Sequence, residues 1–189
     1  MKIFKATMIL VFSGSLLFAD VQTNKDQNLD FVINSGKSAT KILLETLQQN
    51  MQEHMKKGGI MDALDFCSTE AYALTDKVNS QLPEGISTKR ISAKTRNPAN
   101  EPLSDEMKVL KELESKKELP ASFVEKIDEH TYKFYKPLTI DKPVCLKCHG
   151  DISTNKELQT AISSKYPNDK AVNYKMGDLR GAVVVTIKK

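Results

Sequence analysis

"GAVVVTIKK", residues 181 to 189, is dense in β-branched residues and reads as a strand. The glycine of "MGDLRG" just before it predicts a tight turn at the strand's start. Working back, "HTYKFYKPLTI" (130–140) alternates aromatic and polar residues, the period-two pattern of a second strand. "GISTKRISAKT" (85–95) alternates loosely and predicts a third, with "RNPANEP" (96–102) as turn chemistry after it. Helical signals surround these strands. Leu43, Leu47, Met51 and Met55 recur every four residues from about Lys37 until Gly58-Gly59 ends the pattern. A second helix carries Ile60, Ala63, Leu64, Cys67, Ala71, Leu74 and Val78, and stops at Pro83 and Gly85. The pair predicts an N-terminal helical hairpin. A charged helix over 104–117, capped by Ser104, and a short one over 155–164 complete the set. Helices first, then strands with helices between them, predict an α+β fold: one sheet with helices packed against it.

The N-terminus has another character. Lys2 and Lys5 precede an apolar run from Ala6 to Ala19, too short for a spanning helix, which needs roughly 20 apolar residues. The layout is that of a secretory signal peptide over 1–19, with cleavage after Ala19 and an uncleaved anchor as the alternative. Residues 20–35 read as a polar, flexible lead-in and 36–189 as a single domain. No second apolar stretch predicts a membrane span, so the mature protein is expected to be soluble and, after export, periplasmic. The formal net charge is +4, and losing the two leader lysines brings it nearer balance. The aromatics show no interleaving with a basic stripe, so no nucleic-acid partner is expected.

Three cysteines are an odd number for an exported chain and too few for a disulfide scaffold. Two of them lie in "KPVCLKCHGD" (142–151), where Cys145-Leu146-Lys147-Cys148-His149 fits the C-x-x-C-H pattern of c-type haem attachment. On one helical turn, residues three apart project to the same side. Two thiols so placed reach two vinyl groups on one porphyrin edge, and the next residue sets its imidazole below the iron. A structural zinc site wants four ligands, and no second C-x-x-C exists. A thioredoxin-like disulfide, the main rival, does not call for a histidine next in line. The expectation is one haem c, attached through Cys145 and Cys148 and ligated by His149.

The opposite face of the iron is open to several residues: Cys67, His54, His130, and the methionines at 51, 55, 61, 107 and 176. Met51 and Met55 lie on an apolar helical stripe and read equally as core. Cys67 leads on one count: iron would explain an otherwise unpaired exported thiol. Arg90 and Arg96 are candidates for the haem propionates, because guanidinium suits carboxylates bidentately; their alternative is to tie the sheet to the "RNPAN" turn. Asn97 and Asn100 are expected to fix that turn's backbone, and Arg180 is open.

"FCSTEAYALTDKVNS" (66–80), "TKRISAKTRNPANEP" (88–102), "KPVCLKCHGD" and "YPNDKAVNYKMGDLRGAVVV" (166–185) together resemble the bacterial PAS-like c-type haem domain, long catalogued as a domain of unknown function. The likeness runs from about Gly59 to the C-terminus. It implies a PAS-like antiparallel sheet with flanking helices. It also implies haem ligation by the histidine of C-x-x-C-H and a cysteine on an early helix, here His149 and Cys67.

Two protein ligands leave no open position on iron. That favours electron transfer at low potential over enzymatic haem chemistry, because a thiolate stabilises ferric iron. The alternative is a redox or diatomic-gas sensor, in which Cys67 yields its place to the gas. The sequence after the closing strand holds no kinase, cyclase or receiver, so a sensor is expected to signal through a separate partner. A reductase would need an acid near the distal face; Asp65 and Glu70 are near Cys67 in sequence, but helical carboxylates are usually solvated. The redox or signalling partner protein is not identified by the sequence.

Overall fold

The computed structural model describes residues 16–189, with side chains from residue 27 onward. The expected leader therefore lies outside the described residues, apart from the backbone of 16–19. The chain divides into two compact units, 1–31 and 32–189. Among the described residues, no helix is long and apolar enough to cross a membrane.

Helix α1 (Leu16–Thr69) is two helical arms joined at Gly58 and Gly59, whose backbone is not helical. Gly59 has φ 70°, a left-handed value that glycine adopts without steric cost. The turn there is sharp enough for His54 of the first arm to stack on Phe66 of the second, with centroids 4.9 Å apart. His54 Nδ1 also lies 3.1 Å from Asp62 Oδ2. The glycine pair thus separates the arms as expected. Residues 28–35, read as part of a flexible lead-in, are instead helical, and Val32 is fully buried in the core.

Helix α2 (Ala71–Gln81) follows after a break at Glu70. Then come β1 (Ile86–Ile91), a 3-10 turn at Pro98–Asn100, α3 (Ser104–Ser115), β2 (Phe123–Lys126), β3 (Thr131–Thr139), α4 (Pro143–His149), α5 (Lys156–Lys165) and β4 (Leu179–Lys188). The strands form one antiparallel sheet in the order β1-β4-β3-β2. This is the α+β sheet with flanking helices that the sequence pattern predicts, in the PAS-like form that the family resemblance implies. The short edge strand β2 went unread, since four residues are too few to display a period.

β4 is central, and its valine run is buried on both sides. Val183, Val185 and Ile187 pack with Phe134 against Ala39, Leu43 and Leu47 of α1 and Val78 of α2. Ala182 and Val184 face the other way, with Ile91 and Tyr135, against Val109, Leu110 and Leu113 of α3. Alternation along a strand sends neighbours to opposite faces, so a strand covered by helices on both must be apolar throughout.

Gly181 sits where β4 passes closest to β1. A Cβ there would lie 2.1 Å from the Ile91 carbonyl oxygen, at φ 155°. Gly181→Ala is expected to lower stability by about 3 kcal/mol, from overpacking against backbone plus a strained φ. Urea unfolding measures it, and a loss below about 1 kcal/mol would contradict the close approach.

Helix α3 begins differently from expectation. Ser104 is its first residue and Leu103 its N-cap; the Glu106 carboxylate accepts from the Leu103 N–H at 2.9 Å. Fully buried, Glu106 also meets Lys89 Nζ at 2.8 Å and Lys133 Nζ at 3.1 Å. Burial pushes its pKa up, but the hydrogen bonds from Lys89, the Leu103 N–H and Lys133 outweigh that and hold it below the usual carboxylate range. Its stabilisation is therefore complete above the unfolded glutamate pKa and is lost as pH falls through the lowered folded value. Glu106→Gln is expected to cost about 2–3 kcal/mol at pH 7 and to flatten the acid limb of a stability-against-pH curve. An unchanged acid limb would show that other carboxylates carry it.

Candidate functional site

Two small apolar clusters bring the site together. Leu158, Ile162 and Tyr166 of α5 and its C-terminal edge pack with Ile152 onto Leu64 of the second arm of α1, the arm that carries Cys67. Asn155 caps α5, accepting from the Leu158 N–H at 3.0 Å. Ile140, Ala171 and Tyr174 receive Cys145 and Leu146, seating α4. The C-x-x-C-H segment forms that single short helix, as the spacing argument requires. Gly150 closes it by donating to the Leu146 carbonyl at 2.9 Å, and a Cβ there would lie 2.6 Å from that oxygen. Room for the helix end is what glycine supplies here.

Between the second arm and α4 lies a cavity of about 270 Å³. Met51, Met55, Ala63, Leu64 and Val144 make its apolar wall, while Cys67, Cys145, Cys148 and His149 bring the sulfurs and imidazole to it. Arg90, Arg96 and Arg180 give its basic side. Of the candidates for the far side of the iron, Cys67, Met51 and Met55 line this cavity. His54 is engaged with Asp62 and Phe66, and Met61 packs beside α5. His130 lies in the β2–β3 turn, its N–H donating to Asp128, and Met176 is exposed. Cys67 opens onto this cavity rather than being sealed in a core. Its thiol pKa is pushed up by desolvation among surrounding protein atoms, against the pull of Arg90 and Arg96.

His149 is the most constrained of these groups. Its Nδ1 lies 2.8 Å from the Ala171 carbonyl oxygen, which can only accept, so Nδ1 carries the proton and Nε2 keeps a free lone pair. Burial, with Arg180 and Arg96 nearby, pushes its pKa down to about 3. The imidazole is therefore neutral at physiological pH. Tyr174 meets the ring edge-on, with centroids 6.3 Å apart.

The arginines divide by what they already touch. Arg96 Nη2 is shared among the Cys148 carbonyl at 2.8 Å, Asp169 Oδ2 at 3.0 Å and the Ala171 carbonyl at 3.2 Å. Arg180 donates from Nη1 to Ser92 Oγ at 2.7 Å and lies over the Tyr174 ring. Arg90 Nε and Arg96 Nε are buried with no hydrogen-bond partner. Asn97 caps the 3-10 turn, accepting from the Ala99 N–H, so it fixes backbone as expected while also lining the cavity. Sequence reading missed Tyr166, Asp169, Ala171 and Tyr174, whose importance comes only from what they contact.

Such a set suits a flat apolar macrocycle bearing iron and two carboxylates. Two thiols sit one turn apart beside a neutral imidazole with a free nitrogen, a third sulfur lines the same space, and two guanidinium N–H groups lack acceptors.

Residues 23–188 match the family model described as Tll0287-like. The chain belongs to the Tll0287-like family. The match bears out the family resemblance carried by the sequence motifs. The crystal structure of the cyanobacterial heme-protein Tll0287 is similar to this one, with a TM-score of 0.60 and 22% sequence identity. The likeness covers 86% of this chain and 96% of that one, and at such identity it speaks for the fold. No curated protein matches. In this Tll0287-like fold the cavity lies among both arms of α1, β1 with its following turn, and α4.

Proposed function

We propose that this member of the Tll0287-like family is an exported monohaem c-type protein that carries electrons at low potential. One haem would be held through thioethers to Cys145 and Cys148, with His149 and Cys67 as the residues that would ligate its iron. The observation that carries this reading is the convergence on one cavity of Cys67 and of His149, whose Nδ1 is engaged by the Ala171 carbonyl. The similar solved protein is itself described as a heme-protein, which supports the cofactor assignment. The basic, apolar N-terminal segment supports export, which c-type attachment requires.

Bound haem supplies a one-electron ferric/ferrous couple. Each protein group has a task toward it. Met51, Met55, Leu64 and Val144 would exclude water from the bound group. Arg90 offers its unpartnered Nε to a propionate, and Arg96 offers the Nε left over from its bonds to protein. Cys67, as thiolate, donates electron density and stabilises the ferric form, the opposite direction from a Met/His pair.

One observation favours a second reading, a redox or diatomic-gas sensor acting through a separate partner. Cys67 stands three residues before the break at Glu70, where its helix ends. Carbon monoxide added to the reduced, haem-loaded protein separates the two. A carrier is expected to bind it slowly or not at all while exchanging electrons reversibly. Rapid binding would transfer the assignment to the sensor.

A further inference from the structure

We propose that Arg96 and Asp169 are positioning residues, a clamp that holds the Ala171 carbonyl against His149 and selects the imidazole tautomer with Nε2 free for iron. The inference rests on reading His149 as the proximal ligand. The two side chains come from distant places, the turn after β1 and the loop after α5. They meet at 3.0 Å with only 9% and 8% of their side-chain surfaces exposed.

The Asp169 carboxylate binds in two directions. Oδ2 takes Arg96 Nη2, and Oδ1 accepts from the Ala171 N–H at 2.8 Å. Arg96 Nη2 also reaches the Ala171 carbonyl and, on the histidine's side, the Cys148 carbonyl. The peptide groups on both sides of Ala171 are thereby fixed relative to the residue before His149. Backbone bonds finish the unit: Lys170 N–H to Thr95 at 2.9 Å, Tyr174 N–H to His149 at 2.9 Å, and Asn173 N–H to Gly150 at 3.0 Å. Asn173 takes φ 61° to make that return.

Those backbone bonds already tie the loop to α4. A buried ion pair added to them costs desolvation and is weak evidence for stability by itself. What it adds is aim. Neutral imidazole free in water favours a proton on Nε2, the nitrogen that must be bare to bind iron. A fixed acceptor at Nδ1 reverses the preference and makes the ring a stronger donor.

The test uses the full chain with nitrogen-15-labelled histidine, first without haem. Long-range nitrogen–proton spectra of the wild type are expected to show His149 protonated at Nδ1 alone. Asp169→Ala should lower the Nδ1–H to Nε2–H ratio at least about tenfold. Asp169→Asn keeps an amide oxygen for the Ala171 N–H, so it should fold and fall between. Asp65→Asn, which removes the surface pair with Lys165, should change nothing. In the haem-loaded protein, the weaker donor in Asp169→Ala should cut the preference for ferric iron about tenfold, a rise of about 59 mV for one electron. A wild type protonated at Nε2, or folded Asp169 variants that keep a pure Nδ1–H ring, would reduce the pair to a structural brace. If Asp169→Ala fails to fold, Asp169→Asn decides the question. Failure of haem to attach would remove the ligand reading but leave the tautomer result standing.

Discussion

Cys67→Ala is expected to strip the thiolate signature from the ferric spectrum and leave iron open to added ligands. Loss of an anionic sulfur donor removes the main group favouring ferric over ferrous iron, so the midpoint potential should rise by at least about 120 mV. That corresponds to about two decades of relative affinity at 59 mV per decade. The substitution is structurally mild. Cys67 lines an open cavity rather than the packed core, so alanine leaves no sealed void, and unfolding stability should change by less than about 1 kcal/mol. A change in spectrum and potential without loss of fold therefore identifies a ligand. An unchanged ferric spectrum would sink the assignment, and Met51 and Met55, which line the same cavity, would be next to test.

The second large effect is all or none. With Cys145 and Cys148 both replaced by serine, no haem should remain on the chain after denaturing electrophoresis, whereas the parent keeps all of it. Oxygen cannot replace sulfur in a thioether, and each single variant should retain one bond. Both thiols are only half-buried, so serine should cost about 1 kcal/mol or less at each position. Haem that stays with the double variant through denaturation would mean the C-x-x-C-H segment is not the attachment point.

Much of the fold was legible because it is written in short-range periods. The four-residue spacing from Leu43 to Met55, the alternation over 130–140 and the β-branched run at the C-terminus each report a local face. The errors lie where tertiary contact overrides local character. Residues 20–35 read as a polar lead-in, yet Val32 packs into the α1 face of the sheet. Ser104 looks like a cap, but Glu106, drawn inward by Lys89 and Lys133, takes over the Leu103 N–H.

At the candidate site, local spacing sets which groups are chemically available: two thiols and an imidazole on one turn, and a lone third thiol. A single helical turn fixes that, whatever the rest of the chain does. Long-range packing sets which groups meet. It sends Arg96 to Asp169, 73 residues away in sequence, gives His149 its acceptor 22 residues on, and sets Cys67 at the same cavity while His54 and His130 are drawn elsewhere. Those contacts depend on how helices close over a sheet, and no local period encodes them.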